Sequence, residues 1–243
     1  MNGKKIVRKN LFQTHKNFLK SALHLLGLYK YSERILLLRK TRYRSISRFT
    51  TNINGVSVQF STEDEYSNSW FFPRYAGNRI HERAVTEMLI ETLKGAKCFV
   101  DVGTNLGWYT CLASKHMSSG VVYGFEMDDL NFTVLKKNLA LNGCGNALVQ
   151  NVAVSDSPGT VSYRRQNNRP RANFHLEATT SDEDSFGIIS VKSISLDNFF
   201  DSQENLPDVI KIDVEGAEMN VLKGMSQLLR DCRLILFFGD SSG

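Results

Sequence analysis

The 243-residue sequence predicts an α/β fold in which helices cover both faces of a mostly parallel sheet. Three observations predict it. Short apolar segments alternate with amphipathic helical segments across residues 98–238. Glycines follow the first of these strands where it turns directly into a helix, and acids stand at the ends of two later strands. In sheets of this class, ligands bind beyond the carboxyl ends of the strands, so a functional site is expected there.

The composition is that of one globular domain with an N-terminal extension. We assign residues 1–50 to a basic, partly helical extension and residues 51–243 to the main domain. A hydrophobic content of 42% and only 4 prolines allow a substantial core. The cysteines have neither CxxC nor metal-ligand spacing, which predicts reduced core thiols and no bound metal: Cys98, Cys111, Cys144 and Cys232.

Charge is distributed unevenly along the chain. Residues 1–48 contain 13 lysines and arginines against one acid, Glu33, and carry +12, whereas the remainder carries −7. No apolar run reaches the roughly 18 residues of a membrane span. No clean apolar segment leads to a small-residue cleavage site, as a secretory signal requires. The sequence therefore predicts a cytoplasmic protein, with peripheral attachment to a membrane surface as the alternative.

The basic extension contains a predicted amphipathic helix over residues 12–29. Its apolar residues recur at helical spacing, with basic residues and histidines between them: Phe18, Leu19, Ala22, Leu25, Leu26 and Tyr29. Such a helix either attaches to an anionic membrane or nucleic-acid surface, or packs against the main domain or a partner chain. We favour packing, since it is the commoner use of an apolar stripe.

The main domain is predicted to begin with one strand and one helix. The segment NINGVSVQF places Val56, Val58 and Phe60 on one face of an entering strand. A helix follows over residues 80–94, with apolar residues at helical intervals and Gly95 as its stop.

The alternation of strands and helices then builds the sheet. Strands are predicted at 98–102, 121–125, 147–154, 209–214 and 233–238. Helices are predicted from about residue 108, over 129–142 with Gly143 as the stop, and across a segment carrying Val221, Leu222, Met225, Leu228 and Leu229. Between the third and fourth strands, GTVSYRR and IISVKSISLDNFF are predicted to pair as strands. The polar segment 164–187 between them is either a functional loop or disordered.

The turn after the first predicted strand reads DVGTNLG. Gly103 and Gly107 stand where the backbone needs a positive φ or where a ligand must come close. A dinucleotide fingerprint would have G-x-G-x-x-G spacing, with a pyrophosphate at the helix N-terminus. Here Asp101 occupies the place of the first glycine. Its carboxylate would repel a pyrophosphate and suit a ligand that carries an ammonium group.

The ends of the next two strands suggest a nucleoside. Glu126 lies 23 residues after Gly103, where an acid can accept both hydroxyls of a ribose. The expected ligand is therefore a nucleoside whose other end is cationic, and S-adenosylmethionine meets both requirements. Asn151, after the third strand, could pair with the edge of the adenine.

Five segments together resemble the FkbM family of S-adenosylmethionine-dependent methyltransferases, in order and at the expected intervals. They lie within about residues 80–238 and read FVDVGTNLGWYT, VVYGFEMDDLNFTVLKKNLALNG, VQNVAVSDSPGTVSY, VKSISLDNFF and VIKIDVEGAEMNVLKGM. The resemblance implies a class I methyltransferase (Rossmann-like) fold and O-methylation of a sugar, glycan or small metabolite. Members of the family continue past the fifth strand into a helix and a final antiparallel pair, so the last strands are expected to be lacking here.

The resemblance also implies which residues form the site. The positions that match the family's cofactor pocket are Asp101, Gly103, Asn105, Gly107, Glu126 and Asn151. Asp213, at the end of the fourth strand, is expected to face the methyl-transfer centre. Asp213 and Glu215 are the candidate general bases, and His175 is a third candidate if the loop that carries it folds over the site.

Several of these acids also have structural explanations. Asp101 could accept backbone amides within its turn. Asp128 or Asp129 is expected to cap the following helix, which would leave Glu126 free for a ligand. Glu215 could instead stabilise the first turn of the helix after the fourth strand.

Glu218 falls in the same first turn as Glu215, where the helix dipole favours an acid, so a structural role and a catalytic role are both open for it. The other polar candidates are interpreted structurally. Asp197 is expected to cap a turn. The histidines lack ligand spacing to one another and are interpreted as residues that bind no metal: His81, His116 and His175.

Three classes of function stay open at this point. The first is an O-methyltransferase acting on a small molecule or glycan, and the second is an RNA- or membrane-associated methyltransferase targeted by residues 1–48. The third is a non-catalytic module that binds S-adenosylmethionine. The fourth strand ends in DVEGAE rather than in the Asn/Asp-Pro-Pro-aromatic signature of amino methylation, and no Pro-Cys supplies a nucleophile for cytosine C5. Both observations disfavour nucleic acid as the acceptor.

Overall fold

The computed structural model describes residues 46–76, 80, 82–164 and 188–239. The predicted helix of the basic extension, His81, His175 and the segment 165–187 lie outside the described residues. The compact unit that follows the extension begins at Ser47.

An antiparallel hairpin stands where the sequence predicts one entering strand. β1, Arg48–Ile53, pairs with β2, Val56–Ser61, through a turn at Asn54 and Gly55. Both turn residues have positive φ, 49° and 84°, as a type I′ turn requires, which explains the Asn-Gly pair. The predicted strand that carries Val56, Val58 and Phe60 is confirmed as β2, whereas its partner strand β1 was not predicted.

A five-stranded parallel sheet forms the centre of the domain. Its strands are β3 (Cys98–Val102), β4 (Val121–Phe125), β5 (Ala147–Gln150), β9 (Val209–Ile212) and β10 (Ile235–Phe238). Their order is β10-β9-β3-β4-β5. All the pairings in this sheet are parallel. The predicted class of fold is confirmed, and β3 lies at the centre with every residue buried.

Helices connect the first strands as predicted. A short helix, α1 (Phe72–Tyr75), follows a π-helical turn, and α2 (Arg83–Leu93) precedes β3. α3 (Trp108–His116) follows β3 and α4 (Asp129–Asn142) follows β4. Asp128 caps α4 by accepting two first-turn amides, and Gly143, at φ 61°, ends it. Both of these boundary predictions are confirmed.

An aromatic cluster joins the hairpin, α1 and α3. The ring centroid of Trp108 lies 5.5 Å from that of Phe60 and 4.3 Å from that of Tyr75. Phe71 packs against Tyr75 at 4.4 Å. These rings bury a large apolar area and so hold α1 beside the start of α3.

The predicted third strand divides between two sheets. β5 ends at Gln150. The residues that follow form a separate strand, β6 (Ala153–Val154), which belongs to a second sheet together with β7 (Gly159–Arg164) and β8 (Ile188–Ile194). The order of strands in this second sheet is β6-β8-β7. β7 and β8 pair antiparallel, as predicted. The residues after β8 form a helix, α5 (Leu196–Phe200), rather than strand.

The helix predicted after β9 is broken in two. α6, Glu218–Lys223, and α7, Ser226–Asp231, are separated at Gly224. A Cβ added to Gly224 would lie 2.0 Å from the backbone oxygen of Ser155, so this contact excludes any side chain. Asp197 accepts backbone amides at the start of α7, at 2.9 Å. It therefore caps a helix distant in sequence rather than a turn of its own.

We expect Gly224→Ala to lower the free energy of unfolding by about 1–3 kcal/mol, because the added methyl group must displace the backbone of Ser155. Gly145→Ala is the matched control, since nothing lies within 4 Å of a Cβ there. Its effect should stay within about 0.5 kcal/mol. Urea unfolding followed by circular dichroism measures both variants, and equal stabilities would contradict the described packing.

Candidate functional site

A cavity of about 310 Å³ opens beyond the carboxyl ends of β3, β4 and β9. It lies where ligands bind in parallel sheets, and its size is within the range of small-molecule sites, roughly 300–1,000 Å³. Of the eight residues predicted to form the site, five line it: Gly103, Asn105, Glu126, Asp213 and Glu215. Asp101, Gly107 and Asn151 are not part of the lining.

The two glycines of the β3–α3 turn are required by the backbone and by packing. Gly103 has φ 83° and Gly107 has φ 91°. A Cβ on Gly103 would lie 2.1 Å from the carbonyl oxygen of Asp213. A Cβ on Gly107 would lie 2.6 Å from a methyl carbon of Leu135. The predicted need for glycine is confirmed at both positions, and Gly103 brings the β3 turn against the end of β9.

Glu126 is buried, with 4% of its surface exposed, and its carboxylate joins two turns. Oε2 accepts the backbone N–H of Asn105 at 2.7 Å. Oε1 accepts the backbone N–H of Asp128 at 2.8 Å. The sequence prediction that capping by Asp128 leaves Glu126 free is therefore corrected. A carboxylate has about four acceptor positions, so roughly two remain for a ligand.

Burial also changes the ionisation of Glu126. Desolvation raises the pKa of its carboxyl from 4.5 to about 7, and the negative charges of Asp128 and Asp101 act in the same direction. The two backbone N–H groups oppose the rise because they stabilise the ionised form. The group is thus poised to lose its proton near neutral pH.

Asp101 lies within β3 and is not part of the cavity lining, although the sequence interpretation gave its carboxylate a direct role in ligand binding. It sits within β3, in register with Gly124 of β4 and Lys211 of β9, and is 1% exposed. Its Oδ2 accepts the hydroxyl of Thr110 at 2.6 Å. Burial raises the pKa of Asp101, while the charge of Lys211 and the bond from Thr110 lower it. The enclosed position follows from the complete burial of β3.

Unpartnered acceptors collect at the end of β3. Asp101 Oδ1, Thr104 Oγ1 and Asn105 Oδ1 are buried and have no hydrogen-bond partner among the described residues. Thr104 and Asn105 line the cavity. A buried polar atom without a partner costs about 1–3 kcal/mol. A ligand with N–H donors in the cavity would supply the missing bonds of Thr104 and Asn105, the two residues of this group that line it.

A buried lysine bonds to one of the two predicted catalytic acids. Lys211 is 1% exposed, and its Nζ donates to Asp213 Oδ2 at 2.7 Å. The same Nζ lies 4.4 Å from the ring centroid of Tyr109. Tyr109 in turn donates its hydroxyl to Glu82 Oε2 at 2.6 Å. The sequence interpretation missed Lys211, although its spacing of two from Asp213 on a strand indicates a shared face.

Glu215 follows β9 and is half-buried in the cavity wall. Desolvation, together with the charges of Asp213 and Glu218, raises the pKa of its carboxyl to about 7. Its φ is 51°. Glu82, Asn105 and Glu215 are three of the four described non-glycine residues with positive φ, and all three line the cavity. Strained backbone of this kind clusters at functional sites.

Asn151 uses its amide on the protein itself. Its Nδ2 donates to the carbonyl oxygens of Glu126 and Met127, at 2.8 and 3.1 Å. The neighbouring residues Val152 and Ala153 line the cavity in its place. This geometry does not support pairing of the amide with an adenine, and it gives Asn151 a role in holding the loop after β4.

The sequence interpretation also missed one wall of the cavity, which α1 and the preceding π-helical turn supply. The lining from this wall and from α3 is largely aromatic, with one arginine: Trp70, Phe71, Arg74, Tyr75, Trp108 and Tyr109. The segment SNSWFFPRY contains four aromatic residues in nine. That density was the signal in the sequence.

Among the residues that the structure describes, no group of three or more His, Cys, Asp or Glu side chains is arranged to hold a metal ion. No helix there has both the length and the apolar character needed to cross a bilayer. His116 lies outside the cavity lining, and burial lowers its pKa, with the charge of Lys94 acting in the same direction.

Comparison with known families gives one match to a family model and several similar proteins. The model described as the methyltransferase FkbM domain matches residues 101–242. The chain is 30% identical over 191 residues to the hexuronic acid methyltransferase AglP of Haloferax volcanii, a match covering 78% of this chain and 73% of the relative. It is 27% identical over 166 residues to the methyltransferase sdnD of Sordaria araneosa, covering 57% and 64% of the two chains.

Similar solved structures include a methyltransferase FkbM from Methylobacillus flagellatus, at 17% identity and a TM-score of 0.42. That match covers 60% of this chain and 33% of the other. An O-methyltransferase from Bacillus cereus in complex with SAH matches at 12% identity and a TM-score of 0.36, covering 62% and 52% of the two chains.

We expect the stability of the protein to fall as the pH rises from about 4.5 to about 7, in part through Glu126. The unfolded carboxyl, with its ordinary pKa near 4.5, releases its proton at lower pH than the folded carboxyl, whose pKa is about 7. The folded state therefore holds more protons in this window, and its advantage is lost as the pH rises through 7. Glu126→Gln should flatten this slope in urea unfolding measured at several pH values.

The control for this experiment is Glu91→Gln, which changes an exposed residue paired with Lys94. A glutamine at position 126 has one carbonyl oxygen for two N–H donors, so one of the two hydrogen bonds is lost. We therefore expect Glu126→Gln to lower the free energy of unfolding by a similar amount at every pH, in addition to flattening its dependence on pH. An unchanged slope in Glu126→Gln would contradict the ionisation described for this site.

Proposed function

Because the chain belongs to the FkbM methyltransferase family, we propose that it transfers a methyl group from S-adenosylmethionine to a hydroxyl of a sugar, glycan or small metabolite. The observation that carries this proposal is that Glu126, at the end of β4, accepts the backbone N–H of Asn105, whose buried side-chain Oδ1 has no described partner. The name of the Haloferax relative favours a hexuronic acid as the acceptor.

The residues present fit this cofactor. Glu126 retains acceptor positions for the two ribose hydroxyls, since each of its oxygens accepts one backbone amide. Asn105 Oδ1 would accept from the ammonium group of the methionine part, with the Asp101 carboxylate beneath adding favourable charge. Gly103 lets the turn after β3 pack against the end of β9, which brings the cofactor turn and Asp213 to the same cavity. When bound, S-adenosylmethionine supplies an activated methyl group on a sulfonium.

Asp213 and Glu215, at the end of β9, would act on the acceptor hydroxyl. Glu215 is the stronger candidate for the general base, because a pKa of about 7 matches the pH at which it must accept the hydroxyl proton. The charge of Asp213 is paired with Lys211 at 2.7 Å. We assign Asp213 to orientation of the acceptor hydroxyl, with Lys211 holding its carboxylate in place.

The aromatic wall would contribute by excluding water. Phe71, Tyr75 and Trp108 are at most 8% exposed and line the cavity. Methyl transfer is an in-line displacement, so alignment and a dry pocket supply much of the rate enhancement. A small acceptor fits a cavity of this size better than a folded nucleic acid does.

We expect Glu126→Gln to weaken the binding of S-adenosylmethionine by about 10- to 100-fold, because hydrogen bonds to a charged acceptor contribute about 1.5–3 kcal/mol. Isothermal titration calorimetry of the whole chain measures the affinity. The matched control is Glu87→Gln, an exposed residue paired with Arg83, and it should bind like the parent. Equal affinities of all three proteins would remove Glu126 from the pocket.

We expect Glu215→Gln to reduce kcat by about 10²- to 10⁴-fold while leaving the affinity for S-adenosylmethionine nearly unchanged. In the parent saturated with S-adenosylmethionine, kcat should rise as the pH increases through about 7 and then level, because the base must lose its proton. The variant should lose that rise. Glu204→Gln, at an exposed position, is the control. A variant at position 215 with the parent's pH profile would exclude Glu215 as the base.

A further inference from the structure

Arg74 is held in the cavity wall by an aromatic ladder. Tyr66, Trp70 and Arg74 follow one another at intervals of four residues through the π-helical turn and α1. The rings of Tyr66 and Trp70 stack with centroids 4.9 Å apart and planes 10° apart. The guanidinium carbon of Arg74 lies 4.4 Å from the centroid of the Trp70 ring. Arg74 Nη1 also donates to the carbonyl oxygen of Trp70 at 3.3 Å.

Although Arg74 is exposed, the ring stack and the hydrogen bond to Trp70 restrict the orientations of its guanidinium. A planar guanidinium stacks well on an aromatic face. An arginine carries five N–H donors, and one of them is used on the Trp70 carbonyl. The other donors are available to a ligand in the cavity, and less side-chain freedom is lost when it binds.

The charges around the cavity distinguish Arg74 from the other cation of the lining. The charged side chains that line it in the described ranges are Arg74, Glu82, Glu126, Lys211, Asp213 and Glu215. Lys211 donates to Asp213. No described carboxylate lies within salt-bridge distance of Arg74. Arg74 is therefore the lining cation whose charge the described residues leave unpaired.

We propose that Arg74 is the specificity residue for the acceptor and binds the carboxylate of a uronic acid sugar. The proposal rests on the proposed function, in which a sugar hydroxyl is methylated. The fork of the guanidinium matches a carboxylate through two parallel hydrogen bonds. The acids elsewhere in the lining repel a second anion by like charge. The sugar therefore binds with its carboxylate at Arg74 and a hydroxyl towards Glu215.

Tyr66, at the other end of the ladder, contacts Asn105 in the turn after β3, which we assign to the cofactor. Asn105 Nδ2 lies 3.3 Å from the Tyr66 hydroxyl and donates to it. The same Asn105 carries the unpartnered Oδ1 assigned to the cofactor. Acceptor and cofactor subsites are thus connected through side chains in direct contact.

The test compares two sugars of the same shape that differ in charge, methyl β-glucuronide and methyl β-glucoside, with glucose 6-phosphate as a second anion. Binding to the whole chain, saturated with S-adenosylhomocysteine, is measured by calorimetry. We expect the parent to prefer the glucuronide over the glucoside by about 10- to 150-fold, the value of hydrogen bonds between charged groups. Arg74→Gln should abolish this preference, and Arg74→Lys should retain part of it.

Two further variants separate recognition from structure. Arg83→Ala changes an exposed arginine on α2 that pairs with Glu87, and it should keep the full preference. Trp70→Leu should reduce the ratio of the glucuronide affinity to the glucoside affinity, because the guanidinium loses the ring on which it stacks. The ratio of the two sugar affinities is the readout, because a general loss of packing lowers both affinities together.

The possible failures can be told apart. If the parent binds S-adenosylhomocysteine but shows no preference for the glucuronide, or if Arg74→Gln keeps that preference, the subsite is wrong and the proposed function stands. A stronger, Arg74-dependent preference for glucose 6-phosphate would overturn the carboxylate assignment. If S-adenosylhomocysteine does not bind, the proposed function itself fails.

Discussion

The buried carboxylate of Glu126 is the interaction on which the geometry of the site depends. It accepts one N–H from the turn after β3 and one from the turn after β4, so a single side chain fixes two loops at the same edge of the sheet. The β3 turn is also held from beneath, where Gly103 N and Thr104 N donate to the carbonyl oxygen of Phe125. Rigid turns of this kind preorganise a site before the ligand binds.

The burial of acidic groups around Glu126 lowers the stability of the protein. Desolvation raises the pKa of Asp101, Glu126 and Glu215, and three acceptor atoms at the end of β3 have no described partner. Lys211 offsets part of this effect, since it lowers the pKa of both Asp101 and Glu215 and bonds to Asp213. A cationic, N–H-bearing ligand would relieve the remainder, so stability and function are linked at the same atoms.

The sequence was sufficient for the sheet and for the backbone of the turn. Alternating apolar segments give the parallel strands, and the positive φ of Gly103 follows from the residue type. The sequence did not show how deep Asp101 lies, because depth depends on the helices that cover β3. Nor did it show that both oxygens of Glu126 bind amides. Arg74 was missed because its importance comes from a ring stack at intervals of four, within a segment without strong apolar periodicity.

A crystal structure of the whole chain grown with S-adenosylhomocysteine tests the central claim most directly. The account predicts that both ribose hydroxyls lie within hydrogen-bonding distance of the Glu126 carboxylate while the amides of Asn105 and Asp128 remain bound to it. The amino group of the ligand should meet Asn105 Oδ1 at the end of β3. A dinucleotide in the cavity, or a bound ligand that does not contact Glu126, would contradict the account.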